Sequence, residues 1–133
     1  EIEKKMKRLM RKIDRFRDDI VEYETESVDD AEVVVLAYGS VARSSLKAVH
    51  DARVRGIKAG FFRPVTLWPF PDKEIEKLAR KVKTIIVPEL NCGQMVLEVE
   101  RAVHGKAKVL PVNLVNGELF KPEEILAVIE EVA

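Results

Sequence analysis

Glu32-Val33-Val34-Val35-Leu36-Ala37-Tyr38-Gly39-Ser40 is the stretch from which the fold can be read. Its apolar run is too short for a lone helix and rich in β-branched valine. A Gly-Ser turn and an amphipathic helical pattern follow at once. That is the signature of a fully buried parallel strand feeding a helix. The unit then repeats. A helical pattern around Val41–Arg55 closes at Gly56, and Ile57–Phe62 reads as the next strand. Arg63-Pro64-Val65-Thr66-Leu67-Trp68-Pro69-Phe70-Pro71 is a rigid turn. Asp72 is a plausible N-cap for a helix over Glu74–Val82. Thr84–Val87 reads as a strand ending at Pro88, Glu89–Gln94 as a loop, and Met95–Val103 as a helix ending near His104-Gly105. A strand over Lys108–Leu110, extending towards Val112, leads to an Asn116-Gly117 turn. Pro122 opens the last helix, which runs to about Val132.

Upstream, Val21–Glu26 alternates strictly, with charges on one side, as a half-exposed edge strand does. The short return through Ser27–Asp30 makes it antiparallel, because a parallel neighbour needs a long crossover. Right-handed crossovers then place helices on both faces of a mostly parallel five-stranded sheet, a three-layer α/β/α domain.

Before that strand, Ile2, Met6, Leu9, Met10, Ile13, Phe16 and Ile20 recur at steps of three and four, one apolar stripe on a helix of about five turns. Its polar face carries Lys4, Lys5, Lys7, Arg8, Arg11, Lys12, Arg15 and Arg17. Such a helix suits nucleic acid or an anionic membrane. It also suits a solvated linker whose apolar side packs on its own or a neighbouring domain. The absence of interleaved aromatics and the acidic balance of the rest of the chain favour the linker, with neither nucleic acid nor membrane as partner. The division expected is a basic linker helix over 1–20 and the α/β domain over 21–133.

The 133 residues carry equal numbers of acidic and basic side chains and 47% apolar residues, a globular composition with room for one core. One cysteine, Cys92, excludes a disulfide framework, a cysteine-ligated iron–sulfur cluster or a four-cysteine zinc site within these residues, and a reducing cytoplasmic setting is expected. No apolar run approaches the ~20 residues that cross a bilayer. Residue 1 is Glu and falls inside a helical pattern, so the chain is expected to be part of something longer.

In sheets of this kind ligands bind beyond the carboxyl ends of the strands. Gly39 and Ser40 precede a helix whose N–H groups could hold an anion, or they make a tight turn with Ser40 or Ser44 helping to cap. Arg63 could bind a carboxylate or phosphate, pair across an interface, or pair internally with Glu89. Trp68-Pro69-Phe70-Pro71 suits a contact surface, or a loop tucked over the helix behind it. Glu89, Asn91, Gly93 and Gln94 cluster before a helix, with Asn91 as the expected N-cap. Cys92 would then lie in the first turn, where the helix dipole lowers a thiol pKa. A reactive thiol needs a nearby base, and His50 and His104 both sit in helical segments, His104 towards a helix end away from these loops. No Gly-rich nucleotide fingerprint is present.

The runs Ala37–Ser40, Arg63–Pro71 and Pro88-Glu89-Leu90-Asn91-Cys92-Gly93-Gln94-Met95 resemble the C-terminal domain of the alpha subunit of 2-oxoacid:ferredoxin oxidoreductases, the 2-oxoglutarate type in particular. More distantly they resemble the transketolase C-terminal domain. The resemblance covers about Val21–Ala133, and the basic helix fits the linker that precedes such a domain. It implies strand order 1-3-2-4-5 with strand 1 antiparallel. It implies a complex that oxidatively decarboxylates a 2-oxoacid to an acyl-CoA and passes electrons to ferredoxin. Thiamine diphosphate, magnesium and iron–sulfur clusters would be held elsewhere in that complex and none by this chain. The implied partners are a thiamine-binding beta subunit, a gamma subunit and a ferredoxin-like subunit. This domain would then be a non-catalytic assembly element, with Gly39, Ser40, Arg63, Trp68, Glu89, Asn91, Gly93 and Gln94 as interface or positioning residues. The alternative is a free-standing binder of a small anionic ligand such as a nucleotide or coenzyme A.

Overall fold

The structure, a computed structural model, describes residues 2–89, 94–113 and 121–133. Two helices lead, α1 (Ile2–Arg15) and α2 (Arg17–Ile20), followed by β1 (Tyr23–Glu26) and β2 (Val33–Leu36). Helices and strands then alternate through α3 (Ser40–Val54), β3 (Ala59–Pro64), α4 (Asp72–Ala79), β4 (Thr84–Glu89), α5 (Gln94–Val103), β5 (Lys108–Asn113) and α6 (Pro122–Val132). The sheet order is β1-β3-β2-β4-β5, with β1 antiparallel to β3 and the other pairings parallel. Both the order and the antiparallel edge agree with the expectation.

The valine run stands in the middle of the sheet, and its period of two divides it between two cores. Val34 and Leu36 face Phe62, Ile85 and Val87 under α4 and α5. Val33, Val35 and Ala37 face Phe61 and Ile86 under α3 and α6. A central strand covered on both faces has no polar side to show, which is why β2 lacks the alternation visible in β1. All four residues of β1 are exposed. Tyr23 lies flat on Phe62, with ring centroids 5.3 Å apart.

Several boundaries differ from expectation: β1 begins at Tyr23 rather than Val21, β3 runs over Ala59–Pro64 rather than Ile57–Phe62, and α4 ends at Ala79 rather than Val82. The strand expected to stop at Pro88 continues to Glu89, pairing Pro88 with Val112 and Glu89 with Asn113. The ladder between β2 and β4 ends at Val35–Ile86, so Pro88 lies where β4 has a partner in register on one side only and its missing donor is tolerated. Asp72 is the first residue of α4, with Pro71 at the cap position, and its carboxylate pairs with Arg101 instead of capping. The five-turn leading helix breaks at Phe16 (φ −109°, ψ 19°).

The turn into the central strand is tied by one side chain. Arg53, near the end of α3, donates to the Ser27 and Ala59 carbonyls and forms a two-pronged pair with Asp30. That guanidinium holds the Asp30 carboxyl below its usual range, and Arg53 is raised in return. Gly60 of β3 runs close beneath this turn. A Cβ there would lie 2.9 Å from the Ser27 carbonyl oxygen, so only glycine fits without a shift.

Candidate functional site: the rim at the carboxyl ends of the strands

Because β2 lies between β3 and β4, the loops that leave these strands stand side by side. Gly39 follows the central strand, with Arg63 at the end of β3 on one side and Glu89 at the end of β4 on the other. From β2 the chain moves to β3, and from β4 it moves outward to β5. The strand order therefore reverses between β2 and β4, where a crevice opens in folds of this type.

Gly39 takes φ 64° and ψ −144°, a backbone conformation that is essentially glycine's alone. It is the N-cap of α3, and Ser40 is the first helical residue, so Ser40 sits inside the helix rather than at the cap position. Gly39, Ser40 and Arg43 line a cleft of about 570 Å3 together with Glu24, Phe61 and Arg63. The cleft thus combines a helix start and two guanidinium groups with one carboxylate.

Arg63 does not pair with Glu89. Its Nη2 donates to Glu24 Oε1 across the β1–β3 ladder at 3.1 Å, where Glu24 is its register partner. Arg63 Nε is buried with no hydrogen-bond partner among the described residues. Glu89 is 3% exposed and turned to a different task. Its two carboxylate oxygens accept the backbone N–H groups of Met95 (2.9 Å) and Val96 (3.1 Å) in the first turn of α5. A carboxylate at a helix start satisfies two donors that the helix itself cannot, and it complements the helix dipole. The end of β4 is thereby locked to the start of α5. Asn91, the expected cap, and Cys92 and Gly93 fall outside the described residues. Gln94 is the first residue of α5 and is exposed.

The Arg63–Pro71 loop divides between the two roles expected of it. Phe70 is buried in the core under α4. Val65, Leu67 and Trp68 remain 42%, 45% and 60% exposed. The loop is pinned from below: Val65 N and Thr66 N donate to the Glu22 carbonyl, and Thr66 Oγ1 donates to the Ile20 carbonyl while accepting from Glu22 N. Arg17 of α2 donates to the Phe70 carbonyl at 2.6 Å. An apolar side chain held out to solvent by so many fixed backbone bonds is a pre-shaped contact point.

Both histidines lie at the opposite end of the sheet. His50 meets Glu26 at 2.9 Å beside the far end of β1, and His104 terminates α5 with φ 53°. Neither faces the rim, so no nucleophile–base pair forms among the described residues there. No three His, Cys, Asp or Glu side chains converge among the described residues, and the donor set does not fit a metal-bound diphosphate or a cluster. No helix among the described residues is long and apolar enough to cross a membrane.

Sequence reasoning missed the capping role of Glu89. The signal was present as a carboxylate ahead of a helix, but its spacing of six and seven residues from the N–H groups it holds is outside the local capping patterns.

Comparison with known proteins gives this geometry a lineage. Residues 31–125 match the family model for pyruvate:ferredoxin oxidoreductase core domain II. The 2-oxoglutarate synthase subunit KorA of Methanothermobacter marburgensis is 42% identical over 124 residues, which is 93% of this chain and 33% of that protein. The chain thus spans about a third of the length of the curated relatives it matches. Among solved structures, 2-oxoglutarate:ferredoxin oxidoreductase from Magnetococcus marinus, with 2-oxoglutarate, coenzyme A and succinyl-CoA bound, matches with TM-score 0.77 and 27% identity over 88% of this chain and 21% of that one. A split-gene transketolase, an inactive beta4 tetramer, matches with TM-score 0.67 and 17% identity over 81% and 40%, a likeness of fold. The chain belongs to the pyruvate:ferredoxin oxidoreductase core domain II family.

Proposed function

We propose that this chain is the assembly domain of a cytoplasmic, thiamine-diphosphate-dependent 2-oxoacid:ferredoxin oxidoreductase, and that it takes no direct part in the chemistry. Residues 1–20 serve as its linker and 21–133 as the domain proper. The reaction of the whole complex would convert a 2-oxoacid and coenzyme A to an acyl-CoA and carbon dioxide while reducing ferredoxin. Thiamine diphosphate, magnesium and the iron–sulfur clusters would be carried by other parts of that complex. The partners are a thiamine-binding beta subunit, a gamma subunit and a ferredoxin-like subunit.

The observation that carries this reading is the exposed Val65-Leu67-Trp68 surface, fixed in place beside Arg63 on the rim. Aromatic and arginine side chains presented together on a rigid loop are the usual energetic centre of a protein interface. Gly39 and Ser40 would let a partner approach the backbone closely. Glu89 would act from beneath, by holding α5 in position, and Asn91, Gly93 and Gln94 would contribute from the adjoining loop. The two relatives with 2-oxoglutarate in their names support the substrate class. Nothing in the comparisons favours a free-standing binder of a nucleotide or coenzyme A.

The test is reconstitution of the complex from its subunits, with the Arg63→Glu and Trp68→Ala substitutions made together in the subunit that carries this domain. Size-exclusion chromatography with light scattering should show the wild-type assembly and, for the double variant, mostly free subunits. Thermal unfolding of the variant chain should fall slightly, because Trp68 is exposed but Arg63→Glu sets a second glutamate opposite Glu24 on the β1–β3 ladder, and a second variant, Trp68→Ala alone, should weaken assembly with no such loss. Unchanged assembly would sink the proposal.

A further inference from the structure

β1 is an edge with unused backbone. No strand lies beyond it among the described residues, and all of its residues are exposed. Which of its groups are unused follows from one bond. Val65 N–H donates to the Glu22 carbonyl, so these two form a hydrogen-bonded pair in the register that sets Tyr23 against Pro64. Such pairs alternate along an antiparallel ladder. Glu24 and Glu26 therefore turn their N–H and C=O groups inward to β3, and Tyr23 and Thr25 turn theirs outward. Pro64 fits this phase, because opposite Tyr23 no N–H is asked of it. Among the described residues nothing bonds the outward groups.

The side chains divide by the same period of two. Glu24 borders the cleft at the start of α3, Glu26 meets His50 of that helix, and Glu22 continues the row. Tyr23 and Thr25 face the other way, where Phe62, Lys73, Lys77 and Lys81 join them around a cleft of about 440 Å3 beside α4. Asp29 and Glu74 also line it, but Glu74 is paired with Arg17 at 3.9 Å. Lys77 and Lys81 have no ion-pair partner among the described residues. The edge is thus acidic on its α3 face and basic on its α4 face.

We propose that the free edge of β1 docks an extended segment of another polypeptide, paired antiparallel, with basic side chains on the α3 face and acidic ones on the α4 face. Main-chain bonds to Tyr23 and Thr25 supply the attachment, and alternate side chains supply the selectivity. Antiparallel pairing is the more stable per residue. Charge decides against a second copy of this chain. Two copies of β1 related by a two-fold axis set glutamate opposite glutamate on the α3 face in any register, and like charges directly opposite are destabilising. Arg63 does not cancel this, since it engages one oxygen of Glu24, which stays 61% exposed, and Glu22 has no charged partner among the described residues. The charges that bar self-pairing at the edge are the ones that select a complementary strand. The inference concerns the sheet edge and does not require the Arg63–Trp68 rim to be an assembly face.

The test uses the 133-residue chain. Two fluorescent peptides of about eight residues share one composition; one alternates lysine and glutamate, and the other carries them as two blocks. Anisotropy titration should show the alternating peptide binding about tenfold or more tighter than the block peptide, with the margin narrowing as salt rises. N-methylation of its glutamates, which lie opposite Tyr23 and Thr25, should abolish binding, whereas N-methylation of its lysines should change it by less than about twofold. Thr25→Pro removes an outward N–H and should abolish binding with the circular dichroism spectrum kept, because proline is tolerated where an edge N–H faces solvent. Lys77→Glu with Lys81→Glu leaves the backbone alone and should weaken binding about fivefold or more. The proposal is overturned if the alternating peptide fails to bind below about 1 mM, if the block peptide binds equally well, or if the two methylated peptides behave alike. It is equally overturned if the lysine double variant binds as wild type does, if a folded Thr25→Pro chain still binds, or if the chain pairs with itself in sedimentation and Thr25→Pro abolishes that pairing.

Discussion

Glu89 holds two helix N–H groups with one side chain, so its removal strands both in a buried place. Glu89→Ala should cost about 1–3 kcal/mol, read as a lower urea midpoint with an unchanged slope. Glu89→Gln keeps an acceptor but loses the charge that opposes the helix dipole, so it should cost less than the alanine variant. Gly60→Ala should also destabilise, by about 1–3 kcal/mol, because the obstacle at 2.9 Å is the Ser27 backbone carbonyl and not a side-chain end that could swing away. Both effects come from neighbours distant along the chain. Gly60 falls within the strand read as Ile57–Phe62 with nothing local to mark it, and Glu89 reads as a loop carboxylate. Arg63 was recognisable as a strand-end guanidinium, but its partner was not. Glu24 and Glu89 are both glutamates near strand ends, and only the pairing of β1 with β3 selects Glu24.

At the level of elements, charged side chains tie helices to turns, and their titration shows as pH dependence. Asp30 is held below its ordinary 3.8 by Arg53, and Glu76 below its ordinary 4.5 by Arg80 and Lys106. For a carboxyl lowered on folding, the stabilising contribution is complete above the unfolded value and disappears as pH falls through the folded one. Asp30→Asn should therefore lower the urea midpoint at neutral pH, and the gap to wild type should close below pH 3.8. A gap that stays constant into strong acid would mean that the Arg53 pair contributes nothing. Arg53→Met should cost more than Asp30→Asn at neutral pH, since it also removes the bonds to the Ser27 and Ala59 carbonyls. Arg101 plays a similar part between α4 and α5, with Asp72 and Glu98 both pairing with it and raising it further. The helices and strands were legible from periodicity and from Pro122 and Gly56. Their ends were less so, because Pro88 and Asp72 carry local signals that the sheet register and a helix–helix ion pair override.

For the molecule as a whole, the sheet separates two cores. Ile75 belongs to one and Ile129 to the other, and both are fully buried. Ile75→Ala and Ile129→Ala should each cost about 2–5 kcal/mol, and their sum should hold in the double variant to within about 0.5 kcal/mol. A large interaction energy between the two would mean that the layers are coupled through the strands. Amino-acid order alone specified the layers here. The unbroken valine run can only be a strand covered on both faces, the alternating Val21–Glu26 can only be an edge, and the short return between them requires antiparallel chains. Those are properties of period and connection length, which are local. Tertiary structure decided which charges meet, which half of the Arg63–Pro71 loop is buried, and that Ile2, Met6, Leu9 and Met10 of the leading helix stay exposed. Phe70 and Trp68 are two residues apart in one rigid turn, and no propensity tells them apart. One lands under α4 and the other beyond the end of the sheet, a difference set only when distant elements close around them.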